Sequence, residues 1–119
     1  ERFAAAASLS GAVDVERLRA LGARSEDPGL FERVFGDHSV AETADDLWWL
    51  VAHADPAAVP PLWVGCGTGD LLYDHNESFV AACAAAGLPV TTSFVPGEHE
   101  WGLWDQQIQQ VLAWLPLPA

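Results

Sequence analysis

The run Leu62-Trp63-Val64-Gly65-Cys66, bracketed by Pro61 and Gly67, most narrows what this chain can become. It is continuously apolar, with no polar residue on either side of a two-residue period. A strand of that kind needs cover on both faces. Its short length and its proline and glycine flanks select strand over buried helix. Two further runs read the same way: Phe3 to Ser8, rich in alanine, and Val90 to Val95, β-branched and aromatic as strands prefer. Helical segments separate them. Strands alternating with helices specify an α/β fold, here about three parallel strands with flanking helices.

The helices are unequal in clarity. Thr43-Ala44-Asp45-Asp46 predicts a helix start, the threonine oxygen accepting first-turn amides and the carboxylates facing the positive end of the dipole. Leu47, Leu50, Val51 and Ala54 then recur at helical spacing, with His53 in the last turn, until Pro56 stops the helix. Asn76 to Ala86 predicts a second helix, with Phe79, Val80 and Cys83 inward and Gly87 as a left-handed cap. A third spans Leu103 to Leu115, its apolar stripe read as Trp104, Ile108, Val111, Leu112 and Leu115, with glutamines opposite. Between Val15 and Gly36 the period is weak. Gly22, Pro28-Gly29 and Gly36 there predict short turns.

Length and charge bound the function. At 119 residues the chain fits one domain over 1–119, and 50% apolar with 18% charged residues is a globular composition. Seventeen acidic against 5 basic residues leave a formal charge of −12, which repels phosphate backbones and anionic lipid surfaces. Neither nucleic acid nor a membrane is therefore expected as a partner, and no apolar run nears the roughly 18–20 residues that span a bilayer. Cys66 and Cys83 make no disulfide framework and no four-cysteine zinc site. They leave the compartment open, with the cytoplasm as the working expectation, and the sequence is equally compatible with a homo-oligomer. Glu1-Arg2-Phe3 opens straight into an apolar strand, and methionine is absent. The expectation is a carboxyl-terminal part of something longer, with the missing amino-terminal portion as its partner.

Two loops carry the chemistry. Asp70 follows one strand in Gly67-Thr68-Gly69-Asp70, and His99 follows the next in Pro96-Gly97-Glu98-His99-Glu100-Trp101. Parallel strands deliver both loops to the same carboxyl edge, where open α/β sheets bind ligands. An Asp and a His presented there can hydrogen-bond, the carboxylate fixing the imidazole tautomer and freeing the other ring nitrogen to take a proton. The plainer readings are a turn-forming Asp and a solvated His. A metal at Glu98-His99-Glu100 is not expected, because neighbours on an extended segment point to opposite sides and no second His has ligand spacing. His38, His53 and His75 read as surface or capping residues, and Cys66 as a small buried side chain.

These loops resemble those of the esterase D-like family of α/β-hydrolases, which includes tributyrin and acetyl esterases, S-formylglutathione hydrolases, feruloyl and enterochelin esterases and mycolyltransferases. Phe3 to Asp14 looks like the strand following the nucleophile helix. Cys66-Gly67-Thr68-Gly69-Asp70-Leu71-Leu72-Tyr73 is similar to the acid loop, and Pro96 to Trp101 with Trp104-Asp105 to the histidine loop, although Glu98 stands where glycine is common. The resemblance covers nearly the whole chain. It implies the carboxyl-terminal part of an α/β-hydrolase fold, without cofactor, acting on a small ester or thioester substrate. It makes Asp70 the triad acid and His99 the triad base. Leu71, Leu72, Trp101 and Trp104 are candidate pocket walls, with Trp104 read first as ordinary core because it heads the last helix's apolar stripe. The Gly-x-Ser-x-Gly nucleophile elbow is absent from the sequence, and Ser8 and Ser10 are poor substitutes at a strand end. Two rival readings stand beside the carboxylesterase: a non-catalytic α/β fragment whose sheet edge pairs with another chain, and another activity of the same family, whether S-formylglutathione hydrolysis, siderophore cleavage or acyl transfer.

Overall fold

The computed structural model of the protein describes residues 3–22, 27 and 29–118. Its elements follow in the order β1 (Ala6–Leu9), α1 (Val15–Gly22), α2 (Leu30–Phe35), α3 (Leu47–Ala52), β2 (Leu62–Gly67), α4 (Tyr73–Ala85), β3 (Val90–Val95) and α5 (Trp101–Trp114). The strands form one parallel sheet in the order β1-β2-β3, with β2 central. Ala6 pairs with Leu62 and Leu62 with Val90, so the three strands start level; β1 ends at Leu9 opposite Gly65, while β2 and β3 run on together to Gly67 and Val95.

β1 begins at Ala6, later than the Phe3 expected from composition, and runs on through Leu9. The cause lies in its neighbour. Pro60 and Pro61 precede β2 and have no N–H to donate, so the ladder opens only where the Ala6 amide reaches the Pro61 carbonyl at 3.0 Å. β2 is buried from Trp63 to Gly67, as a central parallel strand should be. Val64 enters a core with Val13, Val51, Phe79, Cys83 and Leu88, which packs α3 and α4 against one face of the sheet. α5 packs against β1 and β2, from the face to which Gly65 turns its hydrogen atoms.

The weak segment after β1 resolves into two short helices, α1 and α2, with the residues between them partly outside the described set. Its return is tied down by Glu16, whose carboxylate accepts from the Ser39 hydroxyl at 2.8 Å and the Val40 amide at 2.5 Å.

Three expectations are corrected. Asp46, not Thr43, caps α3. Its carboxylate accepts from the amides of Trp48 and Trp49, whereas Thr43 is used one turn earlier, accepting from the Asp45 amide. α4 starts at Tyr73 rather than Asn76, because the Asp70 loop already directs the chain into the helix. His75 is consequently buried and not a surface residue. The inward face of α5 is Leu103, Gln107 and Val111. Ile108 and Leu112, assigned inward from the sequence, remain 41% and 53% exposed. Gln107 can be buried because its amide donates to the Ser93 carbonyl at 3.0 Å. Gly87 does end α4 in the left-handed region, at φ 74°. No helix among the described residues is long and apolar enough to cross a membrane.

The close approach of the loops after β2 and β3 is the fold's tightest constraint. A Cβ on Gly67 would lie 2.3 Å from the Gly97 carbonyl oxygen and 2.5 Å from its carbon, both unyielding backbone atoms. Gly67→Ala is expected to destabilise the chain by about 2 kcal/mol through overpacking. Urea unfolding checks this, and an unchanged midpoint would contradict it.

Candidate active site

The site is built from the two loops that Gly67 and Gly97 bring together. Beyond the end of β2 the Thr68 amide donates to the Val95 carbonyl at 2.8 Å, and the Gly69 amide to the Gly97 carbonyl at 2.9 Å. The sheet ladder thus continues past the strands and sets the spacing of the residues that follow. Asp70 next folds back, its amide donating to the Gly67 carbonyl at 3.1 Å and its own carbonyl accepting from the Tyr73 amide at 3.0 Å. This turn starts α4 and points the Asp70 carboxylate inward, with its side chain at 0% exposure.

A buried carboxylate must be compensated. One oxygen of Asp70, Oδ1, accepts from the Leu72 amide at 2.8 Å, and the other, Oδ2, lies 2.9 Å from His99 Nδ1. An ionised carboxylate only accepts, so Nδ1 carries the proton and donates it to this bond. The remaining ring nitrogen, Nε2, is then the one available to exchange a proton with another group. The His99 side chain is 42% exposed, so the couple has one end in the interior and one end open. Burial pushes the Asp70 pKa up, but the Leu72 amide, His99 and the Ser10 hydroxyl outweigh it and leave the carboxyl below its ordinary range.

The candidate pocket residues separate by position. Leu71, next to Asp70 in the chain, and Trp101, at the start of α5, stand out from the surface at 78% and 82% exposure. Leu72 is buried, so it contributes its amide to Asp70 and its side chain to the interior. This corrects its reading as a pocket wall. Trp104 is half-buried, with its ring edge-on to His99 at a centroid separation of 4.7 Å. Leu9, Trp101, Trp104 and Ile108 line an open apolar groove of about 630 Å³ beside it. Cys66 lies buried at the end of β2, where loss of solvent pushes its thiol up to about 11, so it supplies no thiolate at neutral pH.

Reading the sequence missed Ser10. Set aside as a poor nucleophile, it is buried beside the couple and accepts the Trp104 indole N–H at 2.9 Å. Its neighbours come from β1 and α5, far apart in the chain, so no local pattern announced it.

Strand order, parallel pairing and the placement of both loops at the carboxyl edge define the carboxyl-terminal part of an α/β-hydrolase fold. Among solved structures the chain is similar to FphF, the fluorophosphonate-binding serine hydrolase F of Staphylococcus aureus, with substrate bound. The match has 28% identity and a TM-score of 0.81, over 95% of this chain and 44% of that one. It is also similar to the apoenzyme of S-formylglutathione hydrolase (FrmB) from Staphylococcus aureus, at 27% identity and a TM-score of 0.78 over the same shares. A ferulic acid esterase shares the fold, with 23% identity and a TM-score of 0.69, over 92% of this chain and 40% of that one. The resemblance to esterase D-like serine esterases drawn from the two loops therefore extends to the fold. The chain spans less than half the length of each of these structures. No family model matches the sequence, and no curated protein does.

The lowered Asp70 pKa has a consequence for stability with a defined sign. A carboxyl whose folded pKa lies below its unfolded value stabilises the fold above the ordinary carboxylate range and loses that contribution as pH falls through the folded pKa. Unfolding free energy should therefore decline as pH drops below about 4, and Asp70→Asn should flatten that slope. Urea titrations at stepped pH check it, and parallel slopes for the two proteins would count against the assignment.

Proposed function

We propose that this chain carries the acid and base of a serine carboxylesterase whose nucleophile lies outside these 119 residues. The observation that carries the reading is the 2.9 Å bond between His99 Nδ1 and a buried Asp70 carboxylate at the carboxyl edge of a parallel sheet. The similarity to two staphylococcal serine hydrolases supports it.

In this mechanism a serine hydroxyl attacks the carbonyl of a short acyl ester or thioester while His99 Nε2 takes its proton. The tetrahedral intermediate collapses, and the same nitrogen returns the proton to the departing alcohol or thiol. Water then repeats the sequence on the acyl-enzyme. Asp70 holds the imidazole in the Nδ1-protonated tautomer and offsets the charge of the imidazolium as it forms. Trp101 and Leu71, exposed beside the loops, suit contact with an apolar acyl chain. Glu98 and Glu100 flank His99 at the surface, which favours neutral substrates over polyanionic ones.

The edge of β1 that is unpaired among the described residues and the adjoining apolar groove suit the remaining strands of the same fold, which would bring the nucleophile to the couple. An acid and a base alone hold no acyl group. The isolated chain should turn over p-nitrophenyl acetate no faster than buffer with free imidazole, and robust activity would overturn the placement of the nucleophile. In the complete enzyme His99→Ala should lower kcat at least about a thousandfold. A loss of only a few-fold would remove His99 from the mechanism. Fluorophosphonate labelling of the complete enzyme separates catalysis from a scaffold role, since a scaffold need not react.

A further inference from the structure

Among the described residues the His99 ring has one hydrogen bond, which leaves it a degree of freedom. An imidazole tied only through Nδ1 can rock about that bond, which swings Nε2 away from a nucleophile. Its loop is exposed, so something else must hold the ring.

Trp104 is placed to do so. Its indole meets the His99 ring edge-on at 84°, with centroids 4.7 Å apart, and is itself backed edge-on by Trp101 at 5.0 Å. A half-buried tryptophan is in turn only as fixed as its own anchor. That anchor is Ser10, whose hydroxyl accepts the indole Nε1–H at 2.9 Å.

Ser10 is held more firmly than a loop serine ordinarily is. Its amide donates to the Gly65 carbonyl at 2.8 Å, adding a rung to the β1–β2 ladder, and it is 4% exposed. Its φ of 49° lies in the left-handed region, uncommon for serine. The Ser10 hydroxyl also helps to hold Asp70 ionised. The base is thus in ring contact with Trp104, and the acid is influenced by the serine that anchors the indole.

We propose that Ser10 and Trp104 are a positioning pair: the Ser10 hydroxyl anchors the indole, and the indole holds the His99 ring so that Nε2 faces the nucleophile. This rests on the reading of His99 as general base. It changes the role of Trp104 from substrate wall to support for the base.

The test uses the complete enzyme and p-nitrophenyl acetate. Trp104→Phe keeps a ring against His99 and removes the N–H. Ser10→Gly removes the hydroxyl and accepts the left-handed backbone. Each should lower kcat roughly 10- to 100-fold, as small misplacements of a catalytic group do, with KM changed less than about twofold. Because Ser10→Gly already removes the bond that Trp104→Phe removes, the double variant should lose no more than the worse single one. A raised KM with normal kcat would return Trp104 to the pocket wall, and losses that multiply would show two independent roles; either overturns the pair. His99→Ala, run alongside, separates the two readings. An inactive His99→Ala with near-normal Ser10→Gly and Trp104→Phe overturns the positioning pair alone, and an active His99→Ala removes both. Where circular dichroism shows that a variant has not folded, solvent exchange of the Trp104 indole N–H in the unsubstituted enzyme decides. Slowed exchange supports the anchor, and exchange at the rate of free indole overturns it.

Discussion

The contact on which the rest depends is between two stretches of backbone. β2 and β3 end in register, Gly67 opposite Val95, and the loops beyond them remain hydrogen-bonded for two further steps. Only a residue without a Cβ lets the chain at position 67 approach the Gly97 carbonyl so closely. That approach brings an aspartate and a histidine twenty-nine residues apart in sequence to a hydrogen bond. Were the loops separated by the width of a methyl group, the carboxylate would lose its partner while remaining buried.

Burial gives the couple its character. An Asp70 carboxylate in water would gain little from a histidine, because solvent screens both. Here the side chain has no exposure, each oxygen has a named donor, and their sum outweighs the cost of desolvation. The same surroundings act oppositely on Cys66, which has no cation to offset its burial and keeps its proton. One environment thus leaves a carboxylate ready to orient a base and a thiol unable to act as a nucleophile.

The sheet is unevenly finished. β2 is covered on both faces and paired on both edges, while β1 is paired only toward β2 among the described residues. Beside that edge, Ile108 and Leu112 of α5 and the groove lined by Leu9 and Trp104 present apolar surface. Contiguous apolar surface of that kind marks a place where another part of a protein packs. It agrees with a chain that spans under half the length of the hydrolases it resembles.

Sequence alone determined the two longer strands and the address of the site. β3 is bounded as read, β2 differs by one residue, and Asp70 and His99 were placed at the carboxyl ends of neighbouring strands. These features were legible because they are local: apolar runs flanked by proline and glycine, and glycine-rich turns directly after them. Tertiary structure decided what depends on a partner distant in the chain. The inward face of α5 passes through Gln107 rather than Ile108, with the Gln107 Nε2–H donated to the Ser93 carbonyl on β3, a partner that apolarity along the helix does not reveal. α4 starts early because the Asp70 turn leads into it, which draws His75 into the interior. Ser10 and Trp104 meet only when α5 folds back over β1. A hydrogen bond between residues so far apart leaves no periodicity behind, so the sequence holds the two groups and only the fold makes them a pair.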